Sequence, residues 1–232
     1  MTKLFWPLWA FSLILLAATF LRDASAQQSV TVPATITVEF TNPGITPPHW
    51  MLTLRSDGSG QFDAEGAQPP TQNQMGQDRM QVFVGDVHRV VQLSPEFTDR
   101  TFALARERRF FNFPCESHMK VAFQGTKRLS YSGPDGKGMC EFNYSKDKQI
   151  EQLGDAFVSV ESTVIFGARL EKLLQHDRLG LDKEMESLAT AAHDGNAIEM
   201  GVIRETLTKI ASDDEVLERA RRKARLLLAQ VH

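Results

Sequence analysis

The sequence predicts an α+β protein: a twisted antiparallel sheet with one packed helix, followed by a C-terminal α-helical extension. Three observations carry that expectation. Apolar and polar residues alternate with period two in several segments up to Tyr144, the mark of half-buried strands. Two Asp-Gly turns, Asp57-Gly58-Ser59-Gly60 and Asp135-Gly136-Lys137-Gly138, sit between such segments and signal hairpins. From Asp147 onward apolar residues recur instead at steps of three and four, which a helix places on one face.

The chain opens with Lys3, an apolar run from Leu4 to Leu21 and the small-residue site Ala24-Ser25-Ala26. These are the parts of an export signal peptide cleaved before Gln27. An uncleaved anchor is the competing reading, because the run approaches spanning length. The expected organisation is a signal peptide over 1–26, a β-rich domain with one helix over 27–145, and a helical region packed on it over 146–232. Of 26 basic and 29 acidic residues, Lys3, Arg22 and Asp23 leave with the signal, so the mature chain has a formal charge of −4. That balance argues against a dedicated nucleic-acid binder, which shows a basic excess. Nothing after residue 26 is apolar enough to span a bilayer, so the mature chain is expected in the periplasm or outside the cell.

The first strand is expected within Ser29–Phe40, where Ile36, Val38 and Phe40 alternate with Thr35, Thr37 and Glu39. Trp50 to Glu65 reads as a hairpin with Trp50, Leu52 and Leu54 on one face. Gly66 to Asp78 is a polar, Pro- and Gly-containing loop. One or two strands follow, MQVFV and VHRVVQL, split at Gly85-Asp86. Ser94-Pro95-Glu96 opens a helix that runs to about Arg109, with the Ser hydroxyl as cap. Phe110, Phe111 and Phe113 fill the gap between helix and sheet.

The central hairpin is expected over Lys120–Tyr144, with Val121, Phe123, Leu129 and Tyr131 on one parity and Cys140, Phe142 and Tyr144 on the matching face. Gly136 and Gly138 are expected to supply positive φ for its reversal. A helix then runs from Asp147 to about His176 with a stripe through Ile150, Leu153, Phe157, Val160 and Val164, and a kink is expected near Gly167. Asp182 caps a short helix to about Ala192. Ile198–Ile210 makes the next, with Ile203, Leu207 and Ile210 inward. Ser212-Asp213-Asp214-Glu215 has capping-box spacing and opens the last.

Cys115 and Cys140 are the only cysteines, and in an exported chain such a pair is most simply a disulfide. Closing a loop of about 25 residues contributes roughly 3 kcal/mol in the chain-entropy model. The sharper alternative is a metal site built on Cys115-Glu116-Ser117-His118, but no further ligands stand close in sequence. The six histidines at 49, 88, 118, 176, 193 and 232 are scattered. Ser56–Gly60 lacks the strand-to-helix context of a nucleophile elbow, and zinc-helix and EF-hand motifs are absent. The basic runs Arg106–Arg109 and Arg219–Arg225 read as solvated helix faces. No catalytic, cofactor-binding or metal-ligating residue is therefore assigned, and no cofactor is expected.

LTLRSDGSGQF, LSPEF opening a helix, KVAFQGTKRLSY, and FNYS leading into a long helix resemble a group of exported bacterial proteins. The resemblance runs from Trp50 onward. It implies export and the β-then-α layout, and implies no substrate. The expected function is a non-enzymatic protein-interaction module, of partner or inhibitor type, acting on another envelope or secreted protein. One alternative is a binder of a small apolar ligand or lipid, with Trp50, Phe62, Phe83, Phe110, Phe111 and Phe113 lining a cavity. Another is a hydrolase with carboxylates assembled from separate loops.

Overall fold

The computed structural model describes residues 33–67 and 82–231, all within one compact unit. The expected signal peptide and all but the first two residues of the expected loop 66–78 lie outside the described residues. The class is α+β: a six-stranded antiparallel sheet followed by C-terminal helices.

The strands are β1 (Thr35–Thr41), β2 (His49–Arg55), β3 (Ser59–Glu65), β4 (Val87–Gln92), β5 (Thr126–Gly133) and β6 (Gly136–Phe142), in the order β4-β3-β2-β1-β5-β6. Registry lines up the apolar parity across all of them. One inward row runs Arg89, Phe62, Leu52, Val38, Leu129 and Cys140, another Leu54, Ile36 and Tyr131. A slip of one residue would turn every one of these side chains to solvent, so burial specifies the register.

Helix α1 (Pro95–Glu107) and the first half of α2 (Lys148–His176) cover the inward face, burying Phe97, Phe102, Ala105, Ile150, Phe157 and Val160 against it. The first half of α2 thus joins α1 on the sheet. Ser94 caps α1 through its hydroxyl, which accepts from Phe97 N–H at 3.2 Å, and Asp147 caps α2. Glu171, late in α2, pairs with Arg89 of β4 and accepts the Thr206 hydroxyl at 2.7 Å.

The second half of α2 packs with α3 (Leu181–His193), α4 (Arg204–Ser212) and α5 (Glu218–Leu228) around a second core. Its members include Leu170, Leu173, Met185, Leu188, Leu207, Ile210, Ala220 and Leu227. The inward set expected from sequence, Ile203, Leu207 and Ile210, is buried.

Several local expectations are corrected. β5 begins at Thr126, not at Lys120, and Val121 and Phe123 are exposed. Strand β1 ends at Thr41, directly opposite Thr126, so nothing remains for the earlier residues to pair with. MQVFV is not a strand over its described part: Val82 packs on the helical core, Val84 on the sheet core, and Phe83 O accepts from Lys172 Nζ at 2.9 Å.

Gly136 and Gly138 do not take positive φ. They are small because the chain after α1 lies on them. A β-carbon on Gly136 would overlap the Phe110 ring, and one on Gly138 would overlap the Phe110 carbonyl and stand 2.8 Å from Asn112 N. That overlying chain is a left-handed turn, Arg109, Phe110 and Phe111 at φ of 53°, 59° and 66°. Such a conformation costs about 1–2 kcal/mol per residue. Full burial of Phe111 and the tilted ring contact of Phe110 with Tyr131 at 5.0 Å offset it.

No kink interrupts α2, which is one helix of 29 residues. Gly167 instead admits Ile203, whose methyl group occupies the space of a β-carbon. Asp182 is not a cap. It lies inside the first turn of α3 and pairs with Arg219 and Lys223 of α5. The expected helix from Ile198 is a 3-10 turn, Met200–Ile203, followed by α4. The capping-box residues do not open α5, since Ser212 ends α4 and Asp213 accepts from Glu215 N–H in the connection.

Candidate functional site

The two edges of the sheet differ. At β6 the left-handed turn lies on the inward side of Gly138, Cys115 is bonded to Cys140, and just past the strand Glu116 forms a bridge with Ser145. The disulfide expected from sequence is present, with Cα atoms 5.9 Å apart. It clamps the segment leaving α1 to the last strand. Beyond β4 no strand among the described residues pairs. Parity set by buried Val87 and Val91 leaves Val90 outward, and it is 85% exposed. An open edge is a row of unpaired N–H and C=O groups able to take another strand.

The outer face of the sheet is polar and carries no helix among the described residues. Across it run ion pairs that hold the side chains in place: His49 Nε2 with Glu39 at 3.2 Å, Arg128 with Glu39 at 2.9 Å and Glu141 at 2.6 Å, and His88 Nδ1 with Asp63 at 2.8 Å. The hydrogen bond with Asp63 raises the His88 pKa above its ordinary value.

A second exposed feature is the loop from Ser117 to Gln124, which carries Met119, Val121 and Phe123 outward. Its conformation is pinned. Glu116 accepts from the amides of Asn143 at 2.7 Å and His118 at 3.1 Å, and these bonds hold its carboxyl below the usual range. Asn143 reaches back with Oδ1 accepting from Gln124 N–H at 2.7 Å and Nδ2 donating to Ala122 O at 3.2 Å. Asn42, from the β1–β2 loop, donates to Gln124 O.

The residues singled out in sequence do not assemble into a reaction centre. Both thiols of the metal alternative are spent in the disulfide, and among the described residues no three His, Cys, Asp or Glu side chains are placed to hold a metal ion. Trp50, Phe62 and Phe111 are core residues, with Trp50 stacked on Phe40 and tilted against Phe62, so the aromatic set encloses no common cavity. Phe83 lies apart, under Lys172. A groove of about 480 Å³ does run between α1 and α2, with Leu104, Leu153 and Ala156 apolar and Arg100, Glu107 and Gln152 polar.

Most of the cations of both basic runs are paired internally. Arg106 meets Asp135 at 2.7 Å and Arg108 meets Asp147 at 2.7 Å. In α5, Arg219 and Lys223 meet Asp182, Arg221 meets Asp214 and Arg225 meets Glu218. Burial lifts two carboxyls, Glu161 to about 7 and Glu184, but the cation near both is the same Arg169, 3.7 Å from Glu184. These carboxyls lie on α2 and α3, not on the separate loops that the hydrolase alternative requires.

Sequence reasoning missed Val90, Lys127 and Glu199. Val90 was legible, because the parity of Val87 and Val91 assigns it outward. Lys127 shares the inward parity of Leu129 and Tyr131, only 3% exposed, with Nζ between Glu151 at 3.2 Å and Asp155 at 2.7 Å. Glu199 carried no local signal at all.

No family model matches the chain, and no curated protein matches it.

Proposed function

We propose that this chain is a non-enzymatic, exported protein-interaction module that receives an extended segment of another envelope or secreted protein along the outer edge of β4. The observation that carries the reading is the outer edge of β4: among the described residues no strand pairs beyond it, and Val90 beside that edge is 85% exposed. Strand addition takes its affinity from main-chain hydrogen bonds and its specificity from alternate side chains. Here His88, Val90 and Gln92 would meet the incoming segment on one face, with the Asp63 carboxylate held beside His88. The disulfide supports export, since such bonds persist in oxidising compartments. The resemblance to exported bacterial proteins points the same way.

A photo-crosslinking residue placed at His88 tests this in the exported fraction of the source cell, with Met139 on the opposite edge strand as the control position. A discrete adduct is expected from His88, lost when Val90→Lys is added and absent from Met139. No adduct at β4, or the same adduct from both edges, would refute the assignment.

A further inference from the structure

We infer that the loop Ser117–Gln124, together with Ile45 of the neighbouring β1–β2 loop, is a contact for an anionic lipid surface. Met119, Val121, Phe123 and Ile45 are large apolar side chains left outward, with Phe123 58% exposed. They belong to two loops joined by the Asn42–Gln124 hydrogen bond. Clustered apolar exposure of this kind marks an interaction surface.

Two further observations favour lipid over a protein pocket. First, part of the main chain is satisfied from within. The amides of His118, Met119, Val121 and Gln124 donate to Glu116, Ser117 Oγ, Met119 O and Asn143, and the carbonyls of Ala122 and Gln124 accept from Asn143 and Asn42. Each backbone group satisfied within the loop lowers the cost of bringing it against an apolar medium. Second, the charges left over are cationic. Residues 42–48 and 117–125 contain no acid, and Lys120 stands among the apolar tips. In the adjoining segment Lys146 and Lys148 are exposed, while the acids are already occupied: Glu116 by backbone amides, Asp147 as the α2 cap and the partner of Arg108. Apolar tips amid basic residues are the pattern of an interfacial anchor, each Lys adding attraction to an anionic leaflet.

Amide hydrogen exchange of the full chain, with vesicles of phosphatidylglycerol and phosphatidylcholine or of phosphatidylcholine alone, tests the inference. Residues 4–21 are themselves apolar, so the readout is taken at the loop and not from co-sedimentation. Slower exchange over 118–124 is expected with the anionic vesicles only, falling about tenfold in protection with Phe123→Asp and severalfold with Lys120→Glu or at high salt. Val90→Lys is expected to leave it unchanged. Exchange unaffected by vesicles, or equal protection on phosphatidylcholine alone, overturns the inference. So does a loop that vesicles leave exposed but a secreted-protein fraction protects, which would assign the surface to a protein pocket.

Discussion

Glu199 grips Ser94 with both carboxylate oxygens, one accepting the Ser94 backbone N–H at 2.6 Å and the other its hydroxyl at 2.8 Å. Ser94 in turn caps α1, so a residue from the helical extension completes the start of the helix that covers the sheet. The negative charge also lies at the positive pole of α1. Glu199 itself holds a left-handed backbone, φ 57°, which aims its side chain back across the chain.

That grip makes the two parts of the fold energetically dependent. Ser94→Ala is expected to cost about 1 kcal/mol as a lost cap, and Glu199→Gln about 1–2 kcal/mol as a lost charge-assisted bond. Measured by urea unfolding, the double variant should fall short of the sum by about 1 kcal/mol. Strict additivity would show that the contact contributes nothing.

The glycines of the β5–β6 hairpin should respond differently to one relieving change. Gly136→Ala and Gly138→Ala are each expected to destabilise by about 1–3 kcal/mol through overpacking. Adding Phe110→Ala removes the ring that Gly136 accommodates, so part of that cost should disappear in the double variant. Gly138 faces backbone, so no rescue is expected there. Thermal melts of the four variants decide this, and rescue of both positions would contradict the packing described.

Lys127 is a buried cation held by two carboxylates and lying over the Phe142 ring. Removing Glu151 and Asp155 together should cost about 3–5 kcal/mol, because the ammonium is left uncompensated. Lys127→Met in the same background should recover most of it, since an apolar side chain of similar length needs no partner. Denaturant midpoints provide the measurement, and a failure of methionine to rescue would mean that packing, not charge, sets the cost.

Glu161 gives the pH dependence a definite sign. Burial lifts its pKa from the ordinary 4.5 to about 7, against the opposing pull of Arg169. Between those values the folded state binds the extra proton, so this group lowers stability as pH rises through the window and contributes a constant penalty above it. Glu116, Asp135 and Glu171 act oppositely: their lowered pKa values contribute stability that is lost as pH falls below the carboxylate range. Subtracting the wild-type pH–stability curve from that of Glu161→Gln isolates the first effect. The difference should grow from pH 4.5 to about 7 and then level. A flat difference would show that Glu161 is not desolvated.

Much of this architecture was legible in order of residues alone. Period-two alternation placed Ile36, Val38, Leu52, Leu54, Leu129 and Tyr131 on the buried face, and three-four spacing placed Ile150, Phe157 and Val160 on the inward stripe of α2. The lone cysteine pair pointed to its own bond. Each of these is a local pattern or a count, and periodicity reports burial directly because a strand and a helix repeat differently. Tertiary structure alone decided where strands stop, why Gly136, Gly138 and Gly167 are glycine, which side chain grips the α1 cap from 105 residues away, and which strands form the sheet edges. Those outcomes depend on what the rest of the chain brings alongside a residue. Val121 and Phe123 have the parity of a buried strand and are exposed only because β1 has already ended.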